Sequence, residues 1–505
     1  MARSTTSRHQ SLTAPTRHLY DVIVVGGQLG GALAAGLLAK RGYQVLYVEH
    51  EGAERAYAHQ GWRLPTAPFL LPQLKSMPGV EAALAELGLS QGLTRLLRPR
   101  TPALQLLLPQ ARLDLHEEPG PRARELARIY GEEVAGALNA RFSQLAGQHE
   151  TSDPFFREPR PLPPEGWLER LQLKRQAAAI PGLEGVPALG SEHPAERLLA
   201  SLLDFASLLE DTSAPLARTR LLAQLARGGA LLPGGREALR ELLLRRLAEL
   251  GADVLGRSGG EPILVEHLAF GGGKLEGIKL LGNEQVFRAD LILGAMDGEG
   301  LRRLLPEKKK QRRLAEELDA ATPRSFLLGV NWVLPERALP RGLGGLALLD
   351  PGPNGPGPLL IEVHEAQSAE GEVDPATRTV SASARVPVSA LELGDEHLSG
   401  WIGRVEAALE ELMPFSRAHL LDRSVPILDA PGARAGRLPH PHFAFEEPPA
   451  LGVGGVAQRT GTKQLLLANR EILPGLGVEG ELLAGARAAR LVQEKLKREP
   501  SLRRS

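Results

Sequence analysis

Residues 21–50 read DVIVVGGQLGGALAAGLLAKRGYQVLYVEH, and no other stretch restricts the fold as tightly. An unbroken apolar run, Val22 to Val25, leads into a glycine turn. An Ala/Leu-rich segment with helical spacing continues to about Lys40, Gly42 stops it, and a second apolar run, Val45 to Val48, ends in Glu49. Apolar run, turn, helix and apolar run in about 30 residues predict a βαβ unit, two buried strands with a crossover helix between them.

The turn itself, GGQLGG, carries a chemical expectation. A strand, a G-x-G-x-x-G turn and a helix together aim backbone N–H groups and the positive end of the helix dipole at a pyrophosphate. Gly26 lets the chain turn and Gly31 lets helix and strand pack closely. The middle glycine would admit phosphate against bare backbone, and Gln28 stands there instead. Glu49, 23 residues after Gly26, has the place and chemistry of an acid that binds a ribose hydroxyl. The candidate cofactor-binding residues here are Gly26, Gly27, Gln28, Gly30, Gly31 and Glu49.

Composition removes several alternatives. Sixty basic residues balance sixty acidic ones, so no global field favours nucleic acid. There is no cysteine, which excludes disulfides, thiolate catalysis and cysteine-held metal or iron–sulfur centres. The first twenty residues lack the apolar run of a secretory signal, and no window holds 18 consecutive apolar residues. The expectation is a cytoplasmic protein, with peripheral membrane contact left open.

Further along, residues 75–225 are rich in Leu, Ala, Arg and Glu at helical spacing and predict a mainly helical insertion. Then come GGALLPGGREALRELLLRRLAELGADVL, a turn, helix and strand, and short strands ending in the buried run Leu291 to Leu293. Residues 311–425 mix strand-like runs with a helix around WIGRVEAALEEL. The chain finishes on KQLLLANREILPGLGVEGELLAGARAARLVQEKL, a strand, a loop and a last helix.

The order of these pieces, with LPGGREALRELLLRRLAELGADV, ADLILGAMD and PGLGVEGELLAGARAA, resembles the phytoene-desaturase-like branch of the FAD-dependent oxidoreductases, related to the amine oxidases. The resemblance covers about 20–310 and 425–495 well and the helical insertion loosely. It implies an α/β fold: a Rossmann-like FAD-binding domain of glutathione-reductase type assembled from 20–75, 225–310 and 425–495. An interleaved α+β substrate domain would take 76–224 and 311–424, with tails at 1–19 and 496–505. It further implies FAD as cofactor, adenine passing the strand at Val265, and the last helix, entered through Gly475, Gly477 and Gly480, pointing its positive end near the flavin ring. Chemistry would be oxidation of a hydrophobic or amphiphilic small molecule, desaturase- or dehydrogenase-like, with no catalytic acid or base assigned.

The departures from that pattern fall at the cofactor. Where the family reads G-G-R after the ribose acid, this chain has Ala53, Glu54 and Arg55, and only Arg55 matches. A Gly-Pro pair beside the flavin is Ala67-Pro68, and a Gly-Asp before the last loop is Ala468-Asn469, which leaves Asn469 as the remaining polar contact. Added side chains at several close approaches predict weakened binding, so a catalytically silent descendant acting as a binding or scaffold protein stands as the alternative. NAD(H) on the same turn is a third. Three other features read as ordinary structure: His440 and His442 as a loop, Glu210-Asp211 as a helix end, and Lys308 to Arg313 as a solvated helix face.

Overall fold

The computed structural model describes residues 17–50, 56–109, 111–157, 162–164, 166–179, 194–258, 261–306, 309–352, 355–430 and 438–496. Arg55, Ala53, Glu54 and most of both tails lie outside the described residues.

The opening unit forms as its pattern dictates: β1 (Leu19–Val25), α1 (Leu29–Lys40) and β2 (Val45–Val48), with β1 and β2 parallel. Every residue of α1 from Leu29 to Ala39 is buried. A helix covered on all sides needs small residues where neighbours come close, which accounts for its run of Gly and Ala.

The chain then leaves this sheet. A hairpin, β3 (Leu104–Leu108) and β4 (Ala111–Leu115), precedes the long helix α2 (Glu132–Arg157), followed by α3 (Pro194–Ala206) and α4 (Pro215–Ala226). It returns through α5 (Gly235–Glu249), β5 (Asp253–Leu255) and the strands β6 (Val265–Gly271), β7 (Lys274–Leu280) and β8 (Val286–Gly294). A second excursion gives β9 (Thr322–Pro335), β10 (Leu346–Leu349), β11 (Leu359–Gln367), β12 (Val373–Pro387), helix α6 (Asp395–Leu412), β13 (Asp422–Ser424) and β14 (His442–Ala444). Last come β15 (Leu465–Leu467) and α7 (Gly477–Leu496).

Two sheets result. The first runs β6-β7-β8-β1-β2-β5, with β15 parallel to the end of β8. It is drawn from three separated stretches of chain. The second runs β13-β9-β12-β11-β10-β3-β4, with β14 beside β9. Alternation along its strands splits its side chains between two cores. Leu346, Leu348 and Leu360 face the helical insertion with Leu221 and Phe142, while Ala347 and Ile361 face α6 with Ile402 and Val405.

The stretch 75–225 is mainly helical among its described residues, as expected, and the hairpin β3–β4 is the feature its pattern did not disclose. Its first strand, Leu-Gln-Leu-Leu-Leu, is five residues long with one polar member, Gln105, and stops before Pro109, a length at which a buried strand and a helical stretch look alike. Pairing with β10 decides it.

Candidate functional site

In an open parallel sheet, ligands bind beyond the carboxyl ends of the strands, where the chain leaves a central strand in opposite directions. Here that point is the end of β1, between β2 and β8, and the sequence-predicted residues gather around it. Gly26, Gly27, Gln28, Gly30 and Gly31 follow β1 and Glu49 follows β2. Val265 begins β6, and Asn469 with Gly475, Gly477 and Gly480 lies between β15 and the first turn of α7.

Gly26 sits at φ +125°, in the region that favours glycine, and a Cβ there would overlap the backbone of Ala295. Gln28, in contrast, has an extended backbone, φ −74° and ψ 151°, open to any residue. Its side chain is 3 % exposed. The Gln28 Nε2 donates to Asp297 Oδ1 at 2.7 Å, and its Oε1 accepts the Arg470 N–H at 2.9 Å. Gln28 thus ties the turn to the loops after β8 and β15, and the Arg470 guanidinium closes the same knot on Asp297 at 2.7 and 2.9 Å.

The first free amide of α1, that of Leu29, donates to Glu481 Oε1 at 2.6 Å. The Arg236 Nη2 donates to both oxygens of the same carboxylate, at 2.6 and 2.7 Å. Glu481 is 2 % exposed. Behind it, a Cβ on Gly30 would overlap the Glu481 carbonyl, and one on Gly485 would overlap the Gly30 backbone, so α1 and α7 touch main chain to main chain.

The other expected contacts are engaged in the same way. The Glu49 carboxylate is ion-paired with Arg240, which also holds Glu237. The Val265 amide, on the strand read as passing adenine, donates to His50 Nδ1 at 2.9 Å. Asn469 donates to the Met296 carbonyl at 2.9 Å and to Glu471 at 3.2 Å. The glycines at 475, 477 and 480 are required by the backbones of Gly452, Ala206 and Leu473, which a Cβ would strike.

The expectation for α7 also changes. Its first turn carries Glu479, fully buried and gripped by Arg220 at 2.6 and 2.7 Å, and Glu481 follows two residues later. The positive end of the helix is thereby answered by carboxylates of its own. Glu481, Arg236, Arg240 and His50 were not found from the sequence. The available signal was electrostatic: one acid in the first turn, and a second two residues on, of a helix read as pointing at a cofactor.

Flavin adenine dinucleotide would need the Leu29 amide for pyrophosphate, Glu49 for ribose and the Val265 strand for adenine. All three are bound to protein groups, so the residues as arranged do not fit that cofactor.

Beside this filled seat lies an open cleft of ≈ 780 Å³, its solvent mouth included, between the loop at Pro65–Phe69 and β11. Ala67, of the pair expected next to flavin, is in its wall, with Arg63, Arg100, Arg236, Glu362 and His364. Among its charges, Arg100 meets Glu362 at 3.3 Å and Arg63 meets Glu237 at 3.5 Å, with Glu241 just outside the wall at 2.8 Å from Arg63. Burial lowers the His364 pKa below the usual histidine value, which favours the neutral ring. Past Arg100 lies a second, narrower space, ≈ 470 Å³ with open solvent included, between Leu70, Leu104, Leu221, Leu225 and Leu346.

No protein-family model and no curated protein matches the sequence. Solved structures do match. An oxidoreductase from Methanosarcina mazei superposes with a TM-score of 0.60 at 16% identity, covering 93% of this chain and 99% of that one. Cyclohexylamine oxidase from Brevibacterium oxydans gives 0.55 at 16%, covering 95% and 100%. The chain shares its fold with these oxidases. Rab GDI from Plasmodium falciparum gives 0.51 at 10%, covering 89% and 92%, so the fold also carries proteins not named as oxidoreductases. Among the described residues, no helix is long and apolar enough to cross a membrane.

Proposed function

We propose that this chain is a catalytically silent descendant of the flavin-oxidoreductase architecture, acting as a binding protein for a small, largely apolar molecule held in the cleft between the two sheets. The observation that carries this reading is the Leu29 amide closed by the Glu481 carboxylate at 2.6 Å. An anion of the protein's own stands at the helix end where a pyrophosphate would bind. The cleft next to it stays open, with matched charges at its mouth and leucines beyond, which suits an uncharged or weakly polar guest.

The test is the visible absorption spectrum of protein purified without added cofactor and again after incubation with FAD and removal of the excess. We expect no flavin band in either sample. A band near stoichiometric occupancy overturns the reading.

That outcome would support a second one, favoured by the oxidases among the structural neighbours: an FAD-dependent oxidoreductase, phytoene-desaturase-like, that dehydrogenates a hydrophobic small molecule in the same cleft.

A further inference from the structure

We infer that the dinucleotide seat is occupied from within, by side chains that reproduce the hydrogen-bonding polarity of the ligand they exclude, and that two substitutions reopen its phosphate end to the diphosphate of a nucleotide. This rests on the reading that the wild-type chain holds no flavin.

Three contacts from three separate parts of the chain carry the inference. At the phosphate end, the Glu481 carboxylate accepts from the Leu29 amide at 2.6 Å, as a phosphate oxygen does at a helix N-terminus. At the ribose end, the Arg240 guanidinium donates to Glu49, as ribose hydroxyls would. On the adenine side, a ring nitrogen of His50 accepts the Val265 amide at 2.9 Å, as a purine nitrogen can. Random filling by apolar side chains would leave these donors and acceptors unpaired and costly. Here each is answered by a group of matching polarity.

The phosphate end is the lock. A diphosphate arriving there meets the Glu481 carboxylate, a buried like charge, and the buried Gln28 side chain tied to Asp297 and the Arg470 amide. Removing both changes the sign of the site. Arg236, which grips Glu481 at 2.6 and 2.7 Å, loses that carboxylate and stands beside the exposed end of α1. A helix N-terminus with an adjoining arginine is the chemistry that recognises phosphate.

The experiment is ADP binding to the full-length chain, by equilibrium dialysis and by thermal shift, for the wild type and for Glu481→Ala combined with Gln28→Gly. The double variant should bind ADP at least about tenfold more tightly than wild type and show a melting shift with ADP that wild type lacks. Adding Arg236→Gln to it should return the affinity about tenfold toward the wild-type value. A folded double variant with wild-type ADP affinity overturns the inference while leaving the proposed function standing. Flavin in the wild-type protein overturns both. If the double variant does not fold, Glu481→Gln with Gln28→Gly keeps the side-chain shape and removes the charge. It should still gain about threefold in ADP affinity, and no gain overturns the inference.

Discussion

The dinucleotide seat and the neighbouring cleft lie side by side, with Arg236 and Glu237 at the border of both, and they have been treated in opposite ways. The seat is packed with charge: Glu49, Glu237 and Arg240 in one knot, Glu481 and Arg236 in another, Asp297 and Arg470 in a third. The cleft keeps its space, its charged groups are paired along the walls, and an apolar cavity extends behind Arg100. Apolar side chains that fill space can be exchanged for others of like volume at small cost. Buried ion pairs cannot, because removing one partner strands the other. The difference teaches that the seat has become part of the protein's stability while the cleft remains available to a ligand.

The hardest blow to that comparison would come through Arg240. It is buried between Glu49 and Glu237, and Arg63 reaches Glu237 only at 3.5 Å. Arg240→Met keeps the bulk and leaves Glu49 without its guanidinium, so the protein should lose about 3–5 kcal/mol of stability in urea unfolding. A loss below about 1 kcal/mol would mean that the seat's charges are solvated in solution, and the contrast with the cleft would fail.

What the sequence disclosed of this contrast follows from what each interaction needs. The βαβ opening was legible because it depends on local periodicity, and Val22 to Val25, Gly26 and Gly31 do in the structure what their types require. The defect at Gln28 was legible too, because one glycine is missing from a fixed spacing. The replacement was not. Glu481 lies 452 residues from Leu29 and Arg240 lies 191 from Glu49. A glutamate on an amphipathic helix looks the same in sequence whether it faces water or the amide of another helix. The hairpin at 104–115 escaped for a related reason, since only its pairing with Leu346–Leu349 distinguishes strand from helix.

A smaller effect, confined to a pH window, tests the third knot. Glu471 is buried and accepts the Gly298 amide at 3.0 and 3.1 Å. Burial first, and the Asp297 carboxylate second, raise its pKa well above the ordinary glutamate value. The folded chain therefore keeps this proton to a higher pH than the unfolded chain. Its contribution to stability is most favourable below the ordinary glutamate range and declines as pH rises from there through the raised value. Urea midpoints for wild type and Glu471→Gln, taken from about pH 4 to about pH 8, isolate this group from the other titrating acids. The wild-type curve should fall relative to the variant as pH rises. Parallel curves would show that Glu471 titrates normally and that the seat is less dry than its packing indicates.

The smallest change in stability should come from the cleft. Ala67 lies in its wall, partly exposed, and Ala67→Leu adds volume into open space without touching an ion pair. Unfolding should move by no more than about 0.5 kcal/mol, as at sites without packing or buried charge. The same leucine should exclude the guest. Small molecules extracted into organic solvent from equal amounts of purified protein should include at least one species bound to wild type and absent from Ala67→Leu. If the variant is strongly destabilised, the cleft is tightly packed in solution and is no binding site. If stability and extracted molecules are both unchanged, the ligand lies elsewhere and the open cleft would be only a remnant, like the seat beside it but left unfilled.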